Sequence, residues 1–211
     1  TDILQVIANK EFKEKVDSEM QLVSMAYDTF KYVQLNQGEN MAAFKQAKGE
    51  LKQRLASLND TLNRRMHAAT HLDYEDWLKS HQPFHWLAEF YQIIKGNGGF
   101  DVIIGNPPYV TFTDASLKYN VRQYSTYNTK NLFALCGERF TSLVCNNASI
   151  GYIIPLSGMS IDGFESLQNI IYSNCHSWNS YYSGDRNPSE LFTGVKIRAG
   201  IYIRRHQKGN G

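Results

Sequence analysis

The sequence predicts an α/β fold, in which an α-helical hairpin over residues 1–82 precedes part of a strand-and-helix sheet over residues 83–211. Two observations predict this arrangement. Through the first 69 residues, apolar side chains recur every three to five residues, which is the spacing of one helix face. From residue 100 onward, short apolar runs bounded by turn residues alternate with helical segments, as they do in α/β sheets.

The helical part divides into two long helices. Residues 1–36 and 41–69 each carry one apolar face, and the second has a near-heptad seam. Residues 37–40 are polar and separate the two, so we expect an antiparallel hairpin. Basic side chains of the second helix are candidates for phosphate contact, although such a set is more often only a solvated face: Lys45, Lys48, Lys52, Arg54, Arg64 and Arg65.

The composition is that of a globular protein and leaves its partner open. With 22 basic and 20 acidic side chains, the formal net charge of +2 is too slight to indicate nucleic acid by itself. Cys136, Cys145 and Cys175 have neither disulfide nor zinc spacing, so we expect a reducing, cytoplasmic location and no metal site. No apolar run approaches the length of a membrane span, and we expect neither a membrane partner nor a signal peptide.

A strand and the loop after it are the most informative stretch. Residues 100–104 predict a short, wholly buried, central strand of a parallel sheet. Ligands of open α/β sheets bind at the carboxyl ends of such strands, and four residues follow there: Asn106, Pro107, Pro108 and Tyr109. The two prolines lack backbone donors and leave their carbonyls free, so the loop presents an amide, constrained acceptors and an aromatic ring. A simple Asn-Pro turn is the alternative.

This motif resembles the catalytic motif of adenine-specific DNA methyltransferases, in particular the large type II restriction-modification and phage-defence enzymes. The resemblance implies that a target adenine is flipped out of double-stranded DNA. It implies that the Asn106 side-chain oxygen and the Pro107 carbonyl accept hydrogen bonds from the exocyclic amine, with Pro108 in the same catalytic motif. It further implies that Tyr109 stacks on the base and that S-adenosylmethionine donates the methyl group.

Segments on either side of the motif resemble parts of the same enzymes. Residues 83–86 (Pro-Phe-His-Trp) are similar to their lead-in to the catalytic strand, where His85 is either a general base or a packed histidine that anchors the loop. The resemblance implies that three residues line the pocket for cofactor and flipped base: Asn131, Leu132 and Phe133.

The region near residue 190 is similar to a late motif of the family. There Phe192, within residues 186–195, would pack on the open face of the flipped adenine, although a core position explains this residue as well. Between the two motifs, residues 111–128 are polar; Tyr119, Tyr124, Tyr127, Lys118 and Arg122 suit DNA contact, and loop decoration is the equal alternative.

The remaining pattern predicts the second half of a Rossmann-like methyltransferase sheet. Thr129 is expected to cap a helix over residues 129–146. The elements after it are a strand over residues 149–155, a helix over 161–174, and a hairpin of strands over 178–183 and 196–205.

The cofactor-binding half of the family is absent from the pattern. Residues 1–95 contain no predicted strand that ends in a glycine-rich turn and no acidic residue placed to bind a ribose. The Gly-x-Gly of residues 96–98 does not supply such a turn, because it precedes its strand and opens no helix. We therefore expect the chain to be part of a longer protein, inactive alone, with the missing cofactor-binding segment or a partner chain completing it.

Two other functions stay open. Asn-Pro-Pro-Tyr also occurs in methyltransferases that act on a protein glutamine or an RNA base, although those are usually compact and lack a helical hairpin. A non-catalytic DNA-binding or assembly module is the other alternative. The sequence does not indicate the DNA recognition site, a fused nuclease or the oligomeric state.

Overall fold

The computed structural model describes residues 3–36, 40–117, 119–173, 175–184, 191–192 and 197–206. Two compact units divide the chain, Thr1–Gln92 and Ile93–Gly211. The helices are α1 Ile3–Asn36, α2 Met41–His67, α3 Tyr74–His81, α4 Trp86–Glu89, α5 Leu132–Leu143, α6 Ser157–Ser160 and α7 Glu165–Tyr172. The strands are β1 Phe100–Gly105, β2 Val144–Pro155, β3 Cys175–Tyr182 and β4 Ala199–His206.

The first unit is the predicted antiparallel hairpin. At one end of α1 and α2 the rings of Phe30 and Phe44 lie 5.4 Å apart, and at the other end the Arg65 guanidinium lies 5.2 Å from the Phe12 ring. Between these ends the apolar seams bury Val16, Met20, Val23 and Leu58. The hairpin prediction is confirmed.

The candidate phosphate-binding face of α2 is partly engaged within the hairpin. The Arg64 Nε lies 2.7 Å from Asp60 Oδ2, and Arg65 donates a hydrogen bond to the Asn9 side chain. These pairs agree with a solvated face, although they leave the phosphate hypothesis untested.

His85 has the surroundings of a packed histidine. Its Nε2 lies 2.7 Å from Asn63 Oδ1, and its burial lowers the pKa of the imidazole. The structure therefore favours the histidine that anchors the loop before α4 over the general base.

The second unit is a four-stranded mixed sheet in the order β1-β2-β4-β3. β1 runs parallel to β2, and β4 lies antiparallel to both of its neighbours. Helices α5 and α7 cover one face, and the core there consists of Phe133, Ala134, Val144, Ala148, Ile150, Tyr152, Ile154, Leu167, Ile171 and Tyr202. The α/β fold class and the terminal strand hairpin are confirmed.

Several predicted boundaries are wrong. α5 begins at Leu132 because Thr129 ends a 3-10 turn, where its Oγ1 donates to the Thr126 carbonyl at 2.7 Å instead of capping the helix. β2 follows α5 directly and begins at Val144, so the predicted last turn of the helix is strand. α7 begins only at Glu165.

β1 differs from the predicted wholly buried, central strand. It lies at the edge of the described sheet, and its Val102 and Ile104 side chains are 63% and 86% exposed. They point to the face opposite α5 and α7, which no described element of this unit covers. The prediction of a wholly buried, central strand is wrong for this chain. An apolar run indicates that a strand is suited to burial on both faces, but it does not show which elements lie against it.

Some predicted features lie outside the described residues. They are residues 37–39, Lys118, Asn174 and, except for Leu191 and Phe192, the late motif of residues 186–195. The predicted domain boundary between residues 82 and 83 stays a prediction, because compact units of one chain do not by themselves define domains. None of the described helices has both the length and the apolar character that a bilayer span requires.

Gly99 makes the turn into β1 possible. Its φ is +133°, and a Cβ there would lie 2.5 Å from the Val144 carbonyl carbon and 2.6 Å from the Cys145 nitrogen. Both are backbone atoms of β2 and cannot rotate away. The glycines before β1 thus have a structural role, in agreement with the predicted turn.

Replacing Gly99 with alanine is expected to destabilise the fold by at least about 2 kcal/mol, because the new methyl group both collides with backbone and strains φ. Urea unfolding followed by circular dichroism measures the loss. Gly49→Ala is the matched control, since nothing lies within 4 Å of a Cβ at this position in α2 and alanine favours the helix. Equal stability of the two variants would contradict the close approach.

Candidate active site

The motif loop leaves β1 at Gly105 and alternates between exposed and buried residues. Asn106 and Pro108 are exposed, Pro107 is buried and Tyr109 is half-buried. Within the described part of the chain no hydrogen bond occupies the Asn106 amide. Because Pro107 is buried and its ring fixes φ, the backbone of the loop is restrained, while the side-chain oxygen of Asn106 is available to accept a hydrogen bond.

An open groove of about 630 Å³ begins beside Asn106 and runs along the uncovered face of the sheet. Its described lining is mostly apolar and includes Val102, Ile104, Ile153, Ile201 and Ile203. Among the described lining residues none is charged. S-adenosylmethionine, which the resemblance implies, carries an ammonium, a carboxylate and ribose hydroxyls that all need polar partners. These residues therefore do not hold that cofactor by themselves.

Tyr109 is fixed by its contact with α5. Its ring meets Phe133 edge-on, with centroids 6.4 Å apart and planes at 84°. Burial raises the pKa of the Tyr109 hydroxyl, and that oxygen has no hydrogen-bond partner among the described residues. The hydroxyl is therefore neutral, and packing alone positions the ring.

A short antiparallel pairing, which we call the clasp, joins residues 110–112 to residues 130–132. The Phe112 amide donates to the Lys130 carbonyl at 2.8 Å and the Leu132 amide to the Val110 carbonyl at 2.9 Å, with Thr111 and Asn131 paired between them. The clasp sets the start of α5 directly against the motif loop.

The predicted pocket residues lie at this junction. Asn131 and Leu132 belong to the clasp, and Phe133 contacts Tyr109. The Asn131 amide nitrogen donates to the Thr129 carbonyl at 2.6 Å, so this side chain is engaged locally. The structure thus brings all three beside the motif, while their contact with a base or a cofactor stays a prediction.

Phe192 is among the residues that the structure describes, but no described contact connects it to the motif loop. Its side chain is 40% exposed, and no ring contact between it and Tyr109 occurs among the described residues. Such exposure does not favour the core position that was the alternative for this residue. Its stacking role stays a prediction.

Comparison with known proteins identifies the family. The model of the Eco57I restriction-modification methylase matches residues 8–187, the greater part of the chain. The chain belongs to this family. The match includes most of the helical hairpin, which lies upstream of the residues that carry the resemblance. It confirms the resemblance at the level of restriction-modification methylases.

A relative from Methanocaldococcus jannaschii extends the comparison. It is named "Putative type II restriction enzyme and methyltransferase" and is 38% identical over 122 residues. The aligned segment covers 58% of this chain but 10% of the relative. The chain thus aligns with only a small part of the length of this relative.

The polar loop of residues 111–128 is held by an acidic residue that the sequence pattern did not single out. Asp114 accepts hydrogen bonds from Tyr127 Oη at 2.5 Å, Arg122 Nη2 at 2.8 Å and Lys130 Nζ at 2.9 Å. The Tyr127 hydroxyl and the two cations hold the pKa of this carboxyl well below its usual range. Arg122 and Tyr127, predicted for DNA contact, are therefore engaged inside the loop.

Glu138 on α5 is the second acidic anchor of this loop. Its carboxylate accepts four hydrogen bonds, from the backbone amides and the hydroxyls of Ser125 and Thr126, at 2.8 to 3.0 Å. Thr126 is fully buried beneath it. Burial raises the pKa of Glu138, but the four hydrogen bonds outweigh burial, so the pKa lies below its ordinary value.

The lowered pKa of Glu138 predicts an acid-sensitive loop. A carboxyl whose pKa is depressed in the folded state contributes stability above its unfolded pKa of about 4.3, and this contribution is lost as the pH falls through the folded pKa. Glu138→Gln removes that contribution. Its melting temperature is expected to fall below that of the wild type at pH 7 and to approach the wild-type value at pH 3. A difference that does not shrink with acid would contradict the anchor.

The described residues contain no group of three or more histidine, cysteine or acidic side chains arranged to hold a metal ion.

Proposed function

We propose that this chain supplies the base-handling part of a DNA adenine methyltransferase, which transfers a methyl group from S-adenosylmethionine to the exocyclic amine of a flipped adenine. The observation that carries the proposal is the Asn106 amide, exposed and unoccupied among the described residues at the carboxyl end of a parallel strand. Beside it stands a tyrosine ring fixed by packing. The membership in a restriction-modification methylase family supports DNA as the substrate.

The roles of the motif residues follow from the chemistry of an aromatic amine. Its lone pair is delocalised into the ring, so the free amine is a poor nucleophile. Two acceptors, the Asn106 side-chain oxygen and the Pro107 carbonyl, would draw its hydrogens out of the ring plane and return electron density to nitrogen. Tyr109 would hold the base by its face, with Phe192 opposite and Asn131, Leu132 and Phe133 lining the pocket.

The cofactor is assigned to polypeptide beyond this chain. The described lining of the groove beside Asn106 is too apolar for S-adenosylmethionine, and β1 lies at the edge of the described sheet with the Val102 and Ile104 side chains exposed. Parallel strands are almost always covered on both faces. A further strand-and-helix segment against this edge would both cover the face and bring the cofactor to Asn106. Residues 1–82 would then be a helical insertion and residues 83–211 the catalytic-motif half, in a cytoplasmic enzyme whose free cysteines suit a reducing compartment.

The proposal is tested with the full-length protein and with this chain. Isothermal titration of S-adenosylmethionine is expected to show binding to the full-length protein and none to the chain alone. Transfer of a labelled methyl group is then measured for duplex DNA, RNA and a glutamine-containing protein substrate. Transfer to RNA or protein in place of DNA would replace the proposed substrate, and a full-length protein that binds DNA but no cofactor would indicate a non-catalytic module.

A further inference from the structure

Lys130, at one end of the clasp, has an unusual backbone conformation. Its φ is +53° and its ψ is +27°, in the left-handed region that residues other than glycine rarely adopt. Such a conformation is unfavourable for a residue with a side chain and persists only where surrounding contacts impose it. The strained residue directly precedes Asn131 and contributes the carbonyl that the Phe112 amide binds.

The Lys130 side chain supplies contacts that hold the strained residue. Its Nζ lies 2.9 Å from Asp114 Oδ1 and 3.6 Å from the centroid of the Tyr127 ring. Asp114 also binds the Tyr127 hydroxyl, so one carboxylate holds both the ammonium and the ring beneath it. An exposed ion pair alone stabilises little, but here one carboxylate joins three donors in a single network.

We propose that Asp114 is a positioning residue of the methylase, which holds Lys130 in its left-handed conformation and thereby keeps the clasp closed. The closed clasp sets the start of α5, and with it Phe133, against Tyr109. Asp114 touches neither base nor cofactor in this scheme. The catalytic part of the inference rests on the proposed function, whereas the closure of the clasp does not.

A double-mutant cycle in the full-length methylase tests the route through Lys130. Asp114→Asn is expected to lower kcat about tenfold, since small misplacements of binding groups cost rate, with the KM for DNA changed less than twofold. Lys130→Gly is expected to lose only about threefold, because glycine adopts the left-handed conformation without support. The double variant is expected to match Lys130→Gly, because in this scheme Asp114 acts on the clasp only through Lys130.

The matched control is Asp162→Asn, a neutralisation at an exposed turn residue for which no ion pair is found among the described residues. It is expected to leave kcat unchanged. Multiplicative losses in the double variant, or a loss for Asp114→Asn no larger than for Asp162→Asn, would overturn the inference.

Hydrogen exchange separates this inference from the proposed function. In the full-length protein Asp114→Asn is expected to speed exchange at the Phe112 and Leu132 amides at least tenfold, and Asp162→Asn is expected to leave it unchanged. If the wild type methylates no substrate, the proposed function fails, while faster exchange still supports Asp114 as the residue that closes the clasp. Unchanged exchange in Asp114→Asn overturns the inference whatever the activity.

Discussion

Asn106→Ala is expected to lower the methylation rate of the full-length protein by about a hundredfold or more. The variant removes one of two acceptors that act on the amine as it becomes nucleophilic. Deleting a comparable hydrogen-bonding group from other active sites costs on the order of 3 kcal/mol. Stability should hardly change, because the side chain is exposed and no described residue binds it.

Single-turnover methylation of a duplex, with thermal unfolding measured in parallel, checks this result. Asn97→Ala is the matched control, since Asn97 is exposed in the turn at the opposite end of the same strand. A variant at Asn106 that keeps most of the wild-type rate would show that the motif has been assigned wrongly.

Tyr109→Ala is expected to lower the rate by removing a stacking surface worth roughly 1–3 kcal/mol. Tyr109→Phe should preserve the rate, because the ring face acts and the hydroxyl does not. The structure adds a stability prediction to this pair. Since the Tyr109 oxygen is buried without a described partner, Tyr109→Phe should be at least as stable as the wild type.

Phe192→Ala is expected to give a milder loss of the same kind. The probe for both residues is 2-aminopurine at the target position, because its fluorescence rises when the base leaves the duplex stack and falls again on an aromatic ring. Each alanine variant should alter this signal on binding of DNA by the full-length protein. If Phe192→Ala instead unfolds the protein while the activity per folded molecule stays unchanged, Phe192 is a core residue and the base has one stacking partner.

The sequence predicted those parts of the fold that local patterns encode. The helical spacing of apolar residues located α1 and α2, and the apolar run before Asn106 located β1. Both patterns are local, because they depend only on which residues of a segment are apolar. The family was recognisable because four consecutive motif residues carry it.

Features that depend on distant neighbours were not predicted. Asp114 and Glu138 look like ordinary loop and helix acids, since their partners lie 8 to 16 residues away and follow no periodic pattern. The left-handed Lys130 has no signal of its own, because glycine or asparagine usually marks that conformation. The burial of β1 was overestimated because an apolar run does not show which elements of a chain lie against it.

The position of β4 decides when the sheet can form. β4 is the last described strand of the chain, yet it lies between β2 and β3 and forms all the described pairings of β3. When synthesis has reached the end of β3, that strand still lacks its described pairing partner, β4. Both helices of the hairpin, α1 and α2, have by then been made and can already pack against each other. The hairpin can fold early from local contacts, whereas the described sheet is complete only once the eight residues of β4 have been made. Among the described strands, loss of β4 would leave β1 paired only with β2 and would leave β3 without a partner.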